Sequence, residues 1–336
     1  MIILNNEKFN ATELSILSFI LLNSFTSTII INLFKNYTTM EIIISLIISF
    51  LFGFPIITFL LKLYKNDYIN NISKNKINKY FIKTLFTICA LIIGIFSLYY
   101  NSTIIKTTLL PNHNYSIIIL LLFTSSFLSK KGLKSITIAS NLLFIIYFII
   151  SILSFFLNTP NINTLNLLPF NTNINKINFY EIIIYTIAPL FMLLIIPKNN
   201  IINFNEYKMK SKKAYIIFYI YLSIKILFIL SILGINYYKI LRYPEITMLK
   251  SISLFNFFER LEEILILNIF IENYILLALL MYYVINLFNN KYLIYIIPII
   301  LFLIVIKITS IDNYILLISN TTFIFFNFIT HKRENT

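Results

Sequence analysis

Side chains able to do chemistry are few in this sequence, and most of them interrupt apolar stretches. Polar residues crowd Asn23-Ser24-Phe25-Thr26-Ser27-Thr28, and Tyr185-Thr186-Ile187-Ala188-Pro189 breaks a second apolar run. Lys225 and Glu272 each stand near the centre of another. An ionisable group at membrane depth is expensive and marks a pathway, a solute site or a pairing partner. Hydroxyls and carboxamides there either bond back to the preceding turn and pack on neighbouring helices, or line a stretch that unwinds around a solute. Proline removes a donor and frees a carbonyl one turn back, so Pro189 predicts a kink. The cheapest resolution for Lys225 and Glu272 is a mutual pair near the midplane, a coupling or switch pair; separate polar partners are the alternative.

Groups for covalent or metal chemistry are not assembled. His113 and His331 fall in loops, and Cys89, the one cysteine, lies in an apolar stretch. A Gly-rich phosphate loop and a metal-ligand spacing are both missing. The sequence therefore predicts no enzyme, no metal and no cofactor.

The elements that must position these residues follow from composition. Of 336 residues, 59% are hydrophobic and 12% charged, with a mean hydropathy of +0.85. Soluble domains carry about 25% charged residues, so the partner implied is a lipid bilayer. Lys and Arg number 27 against 13 Asp and Glu; in such a chain the excess orients loops rather than binding nucleic acid. Apolar runs predict an all-α polytopic membrane protein, a single domain over 1–336. Its spans lie at about 14–34, 40–63, 81–100, 115–128, 136–157, 179–197, 214–235, 261–287, 292–308 and 313–329. Most have the length a bilayer crossing requires; 115–128 is short. Lysines cluster at Lys62–Lys83, Lys130–Lys134 and Lys198–Lys213, which puts both termini in the cytoplasm. The opening MIILNNEKFNATEL has no signal-peptide pattern, so insertion through the first helix is expected. Of the two long outer loops, 158–178 reads as irregular. The other, 236–260, mixes aromatics with charges and reads as helical turns on the membrane surface or over a vestibule.

Tyr243-Pro244-Glu245, then Phe257-Phe258-Glu259-Arg260-Leu261-Glu262 running into a long apolar helix, resembles the spore germination permease family, the B subunits of nutrient-germinant receptors. Leu109-Leu110-Pro111-Asn112, Lys130-Lys131-Gly132 and Leu167-Leu168-Pro169 stand in the order of that family, so the resemblance runs over most of the chain. It departs from the family in lacking Gly in the first span and any Trp. The resemblance implies a leucine-transporter-like 5+5 inverted repeat of ten helices, with the first and sixth broken or kinked. It further implies a ligand site made by Asn23, Ser24, Thr26, Ser27, Thr28, Tyr185, Thr186, Ala188 and Pro189, and a place in the inner membrane of the spore. The ligand expected is a small nutrient such as an amino acid, and the expected partners are a receptor A subunit and a C-subunit lipoprotein. Glu259, Arg260 and Glu262 have two readings: local charges at a helix start or a contact with a partner subunit. An amino-acid or polyamine transporter and a non-binding membrane scaffold are the alternatives on the same fold.

Overall fold

A computed structural model describes residues 7–64, 76–108, 114–168, 179–250, 262–288, 290–308, 310 and 312–332. Every element among them is helical, apart from an isolated bridge between Phe9 and Ile201. The helices are α1 (Ala11–Asn23), α2 (Thr39–Lys62), α3 (Lys76–Thr108), α4 (Asn114–Lys130), α5 (Leu133–Asn158), α6 (Phe179–Ile187), α7 (Phe204–Leu233), α8 (Ile235–Ile240), α9 (Pro244–Lys250), α10 (Glu262–Phe288), α11 (Leu293–Lys307) and α12 (Asn313–Lys332). A π-helical segment, Thr26–Ile30, continues α1, and a 3-10 segment, Ala188–Ile195, continues α6.

Among the described residues, six stretches are long and apolar enough to cross a membrane: Ala11–Asn36, Thr39–Lys62, Tyr80–Thr107, Leu133–Asn161, Phe204–Leu233 and Ile266–Phe288. The chain is thus a multi-pass, all-α membrane protein. Shorter apolar helices cover Ile118–Lys130, Phe179–Ile195 and Leu293–Lys307. With 17 residues, α4 is about 26 Å long at 1.5 Å per residue, a little under the hydrocarbon thickness. The tenth stretch, α12, is more polar, with Ser319, Asn320, Thr321 and Thr322 in one turn. Helix α7 starts at Phe204 rather than near 214. Lys208, Lys210, Lys212 and Lys213 are good helix formers that extend it beyond its apolar part.

Burial separates centre from periphery. The most apolar window of the first span is 94% buried and that of α10 is 83% buried, against 33% for those of α2 and α5. Helix α1 packs on α7, α5 and α10; α10 packs on α3, α4, α5 and α1. Exposed Leu51 and Phe52 on α2, Phe123 on α4, Phe148 and Phe156 on α5 and Leu303 on α11 make the outer, lipid-type surface. The packing between α2 and α7 depends on Gly53. A Cβ built there falls 2.1 Å from the Tyr215 hydroxyl, which donates to the Ser49 and Phe50 carbonyls at 3.3 and 3.2 Å. Helix α2 opens with a capping box: Thr38 N–H donates to Glu41 Oε2 at 2.7 Å, and Glu41 N–H to Thr38 Oγ1 at 3.4 Å.

Candidate functional site

The first span loses α-geometry at Ser24-Phe25, and side chains cause it. Asn23 Nδ2 donates to Phe19 O (2.9 Å), Ser24 Oγ to Leu21 O (2.7 Å) and Thr26 Oγ1 to Asn23 O (2.8 Å), so carbonyls of the last α1 turns are claimed by side chains. Phe25 leaves the helical region at φ −116°, ψ 7°. Both Ile29 and Ile30 N–H then donate to Phe25 O at 3.0 Å, the second across the wider π spacing. Back-bonding by Ser, Thr and Asn competes with the helix ladder, and this opens the first helix without a glycine.

The sixth span breaks by a different route. Thr186 Oγ1 donates to Ile182 O and Ile183 O at 2.8 and 3.0 Å. Pro189, with no N–H, then sits in the first turn of an eight-residue 3-10 run, Ala188–Ile195, in which every residue is buried. Long 3-10 runs and π-bulges are uncommon and gather at functional sites. Here they meet: α6 packs on the π-helical segment and α1 on the 3-10 segment.

Above the first break lies a buried charge cluster. Lys225, on α7, donates to Ser27 Oγ at 2.9 Å, pairs with Glu245 Oε1 of α9 at 2.6 Å and lies 5.8 Å from the Tyr221 ring centroid. The side chains of Lys225 and Glu245 are only 5% and 12% exposed. The ion pair therefore runs to Glu245, whereas the sequence pointed to Glu272. Glu272 is nevertheless close: buried on α10, it interacts electrostatically with both Lys225 and Glu245 and lies within hydrogen-bonding reach of Tyr147. Tyr147 donates to the Tyr221 hydroxyl (3.2 Å), which lies 3.3 Å from Ser151 Oγ. Asn268, one turn before Glu272, donates to Ser151 Oγ (3.0 Å) and Tyr147 O (3.3 Å).

Helix α9 reaches this depth because its segment is not a surface element. Pro244, Glu245, Ile246, Met248 and Leu249 are buried, and the helix packs on α7, α10, α5 and the Ile31–Leu33 turn. Tyr243 ties its start by donating to Thr103 Oγ1 at 2.9 Å, and burial pushes the Tyr243 hydroxyl pKa up. Only the preceding α8 has the exposure of a surface helix, with Ile240 81% exposed.

The structure thus gathers Ser27, Lys225 and Glu272, with Thr28 next along the π-helical segment, and adds Glu245, Tyr147, Tyr221 and Asn268. Asn23, Ser24 and Thr26 shape the first break through backbone bonds, as Thr186, Ala188 and Pro189 shape the second. Tyr185 points elsewhere, donating to Asn313 O of α12 at 3.2 Å. Glu259 and Arg260 lie outside the described residues, as does the side chain of Glu262, the first residue of α10. No group of His, Cys, Asp and Glu able to hold a metal occurs among the described residues. Glu245 carried a signal in sequence, an acidic residue within the apolar run Pro244–Leu249, yet nothing local tied it to Lys225. Compared in sequence with protein-family models and with curated proteins, the chain matches none.

Proposed function

We propose that this protein is the membrane-embedded B subunit of a spore nutrient-germinant receptor, in which a small nutrient such as an amino acid binds where the opened first helix meets Lys225, Glu245 and Glu272. One observation carries the reading: a buried charge cluster sits against a helix break, where uncompensated polarity is costly. The family resemblance supplies the rest, namely a leucine-transporter-like 5+5 architecture, a spore inner-membrane location, and A-subunit and lipoprotein partners.

The mechanism follows from the ion pair. Glu245 ties α9 to α7 through Lys225, so a solute that engages Lys225 or either carboxylate changes the energy of keeping α9 docked. A ligand shifts a conformational equilibrium only through its differential affinity for the two states. Docked and undocked α9 are the states invoked, and in sequence α9 precedes the Glu259-Arg260-Glu262 run, for which contact with a partner subunit is one of two readings.

Germination of spores lacking the protein, scored against single amino acids, tests the reading. Loss of response to one nutrient class is expected. An unchanged response, with the protein present in wild-type spores, overturns it. Saturable, gradient-driven uptake of one solute by proteoliposomes of the protein alone replaces the receptor with a transporter on the same fold.

A further inference from the structure

Donors and acceptors do not balance in the Lys225 cluster. Most donors are engaged: Lys225 directs two of its three N–H bonds to Ser27 and Glu245, Asn268 Nδ2 serves Ser151 and Tyr147, and Tyr147 serves Tyr221. Buried oxygens are left over. Glu245 Oε2, Glu272 Oε2, Asn268 Oδ1 and Thr28 Oγ1 have no hydrogen-bond partner among the described residues. The first three, with the carboxylates ionised, carry lone pairs only, and Glu272 and Asn268 are 1% and 6% exposed. With Glu272 ionised, charge is one-sided in the same direction, since two carboxylates then face the single ammonium of Lys225. A net buried negative charge and a surplus of acceptors ask for the same complement.

We propose that the cluster binds one further positive charge, held by Glu272 and Asn268 from adjacent turns of α10 and by the free oxygen of Glu245. The inference rests on the reading of this cluster as the solute site and specifies the chemistry that site selects. Residues four apart on a helix share a face, and both side chains meet the same residue: Asn268 Nδ2 donates to Tyr147 O, and Glu272 lies within reach of the Tyr147 hydroxyl. Lys225 already neutralises Glu245, which leaves Glu272 as the charged anchor. Two sources supply such a charge, a free alkali cation or the ammonium group of an organic solute.

Thermal unfolding of the full chain in nanodiscs separates them. Sodium chloride and methylammonium chloride are titrated in separate arms, at fixed pH, with choline chloride holding ionic strength constant. Saturable stabilisation in one arm is expected, because a ligand bound only to the folded state stabilises by mass action. A sodium response identifies an inorganic cation, and a methylammonium response identifies an amine. Glu272→Gln is expected to weaken the apparent affinity about tenfold or more, equivalent to about 1.4 kcal/mol. Asn268→Ala weakens it in the same sense and carries the test if Glu272→Gln does not fold. Flat titrations in both arms overturn the proposal, as does a response that both variants retain in full. Stabilisation that follows pH and neither cation also overturns it, since a proton then neutralises the carboxylate pair. The receptor reading falls separately, on the spore assay; flat titrations beside a lost germination response remove the cation site alone.

Discussion

Glu272 and Asn273 are neighbours in the chain and point into two different kinds of polar interior. Asn273 belongs to a closed network: Ser97 Oγ donates to its Oδ1 at 2.5 Å, and its Nδ2 donates to Ile269 O (2.7 Å) and Asn101 Oδ1 (3.4 Å). Asn101 Nδ2 donates in turn to Ser97 O at 2.8 Å. No side-chain atom of Ser97, Asn101 or Asn273 is left unsatisfied. Glu272 faces the other way, into a cluster with charges, leftover oxygens and a helix break. The first arrangement joins α3 to α10 and has nothing to offer a solute. The second gathers charges with polarity that the described residues do not satisfy, as a solute site inside a membrane protein would.

The largest expected effect breaks the cluster at its cation. Lys225→Met leaves Glu245 and Glu272 buried without a counter-charge. Removing one partner of a buried ion pair costs about 3–5 kcal/mol, so a large fall in thermal stability of the purified protein is expected. Adding Glu245→Gln to Lys225→Met is expected to recover part of that loss. A double variant no more stable than Lys225→Met would mean that the 2.6 Å pair does not couple the two residues.

The closed network answers in stability alone. Asn273→Ala deprives Ser97 and Asn101 of their partner inside the bundle. A buried polar group left unsatisfied costs about 1–3 kcal/mol, so stability falls, yet on the proposed receptor reading the nutrient dose response of spores carrying the variant is expected to stay where it was, at equal protein level. A shifted dose response would extend the site across α10 to α3 and erase the contrast.

Much of this arrangement is legible in sequence, and the remainder has a physical reason for being hidden. Apolar runs place the apolar core of the helices, because burial or lipid contact over a full crossing needs length, whereas α7 and α3 run well past their apolar parts, from Phe204 and to Thr108. The Asn23–Thr28 run and Pro189 mark both breaks, since each removes or diverts backbone hydrogen bonds that only local residues control. The π and 3-10 character of those breaks depends on packing and has no local signature. Lys225 is conspicuous for its charge alone, whereas its partner is not. Glu245 lies twenty residues further on, in a segment with Lys239, Arg242 and Lys250 that reads as surface. Only the descent of α9 between α7 and α10 brings it in. Glu272 was the nearest answer available from composition, and it proves to be a neighbour of the pair rather than its second member.

The smallest effect is also the sharpest discriminator. Ser27 Oγ accepts from Lys225 at 2.9 Å at the helix break, and it is the hydroxyl that joins the break to the charges. Ser27→Ala removes one acceptor while Lys225 keeps Glu245, so no charge is stranded. A single hydrogen bond contributes about 0.5–1.5 kcal/mol net, somewhat more with a charged partner, so the stability change is expected to be modest. On the proposed receptor reading, the nutrient concentration for half-maximal germination is expected to rise severalfold, because Ser27 fixes where Lys225 stands relative to the opened backbone. Ser18→Ala provides the reference: Ser18 Oγ donates to Leu14 O at 2.8 Å within regular α1 geometry, away from the charges. If both variants lose similar stability and only Ser27→Ala shifts the dose response, the break and the charge cluster act as one site. Equal dose responses in the two would reduce the π-helical segment to packing, with the charges standing apart from it.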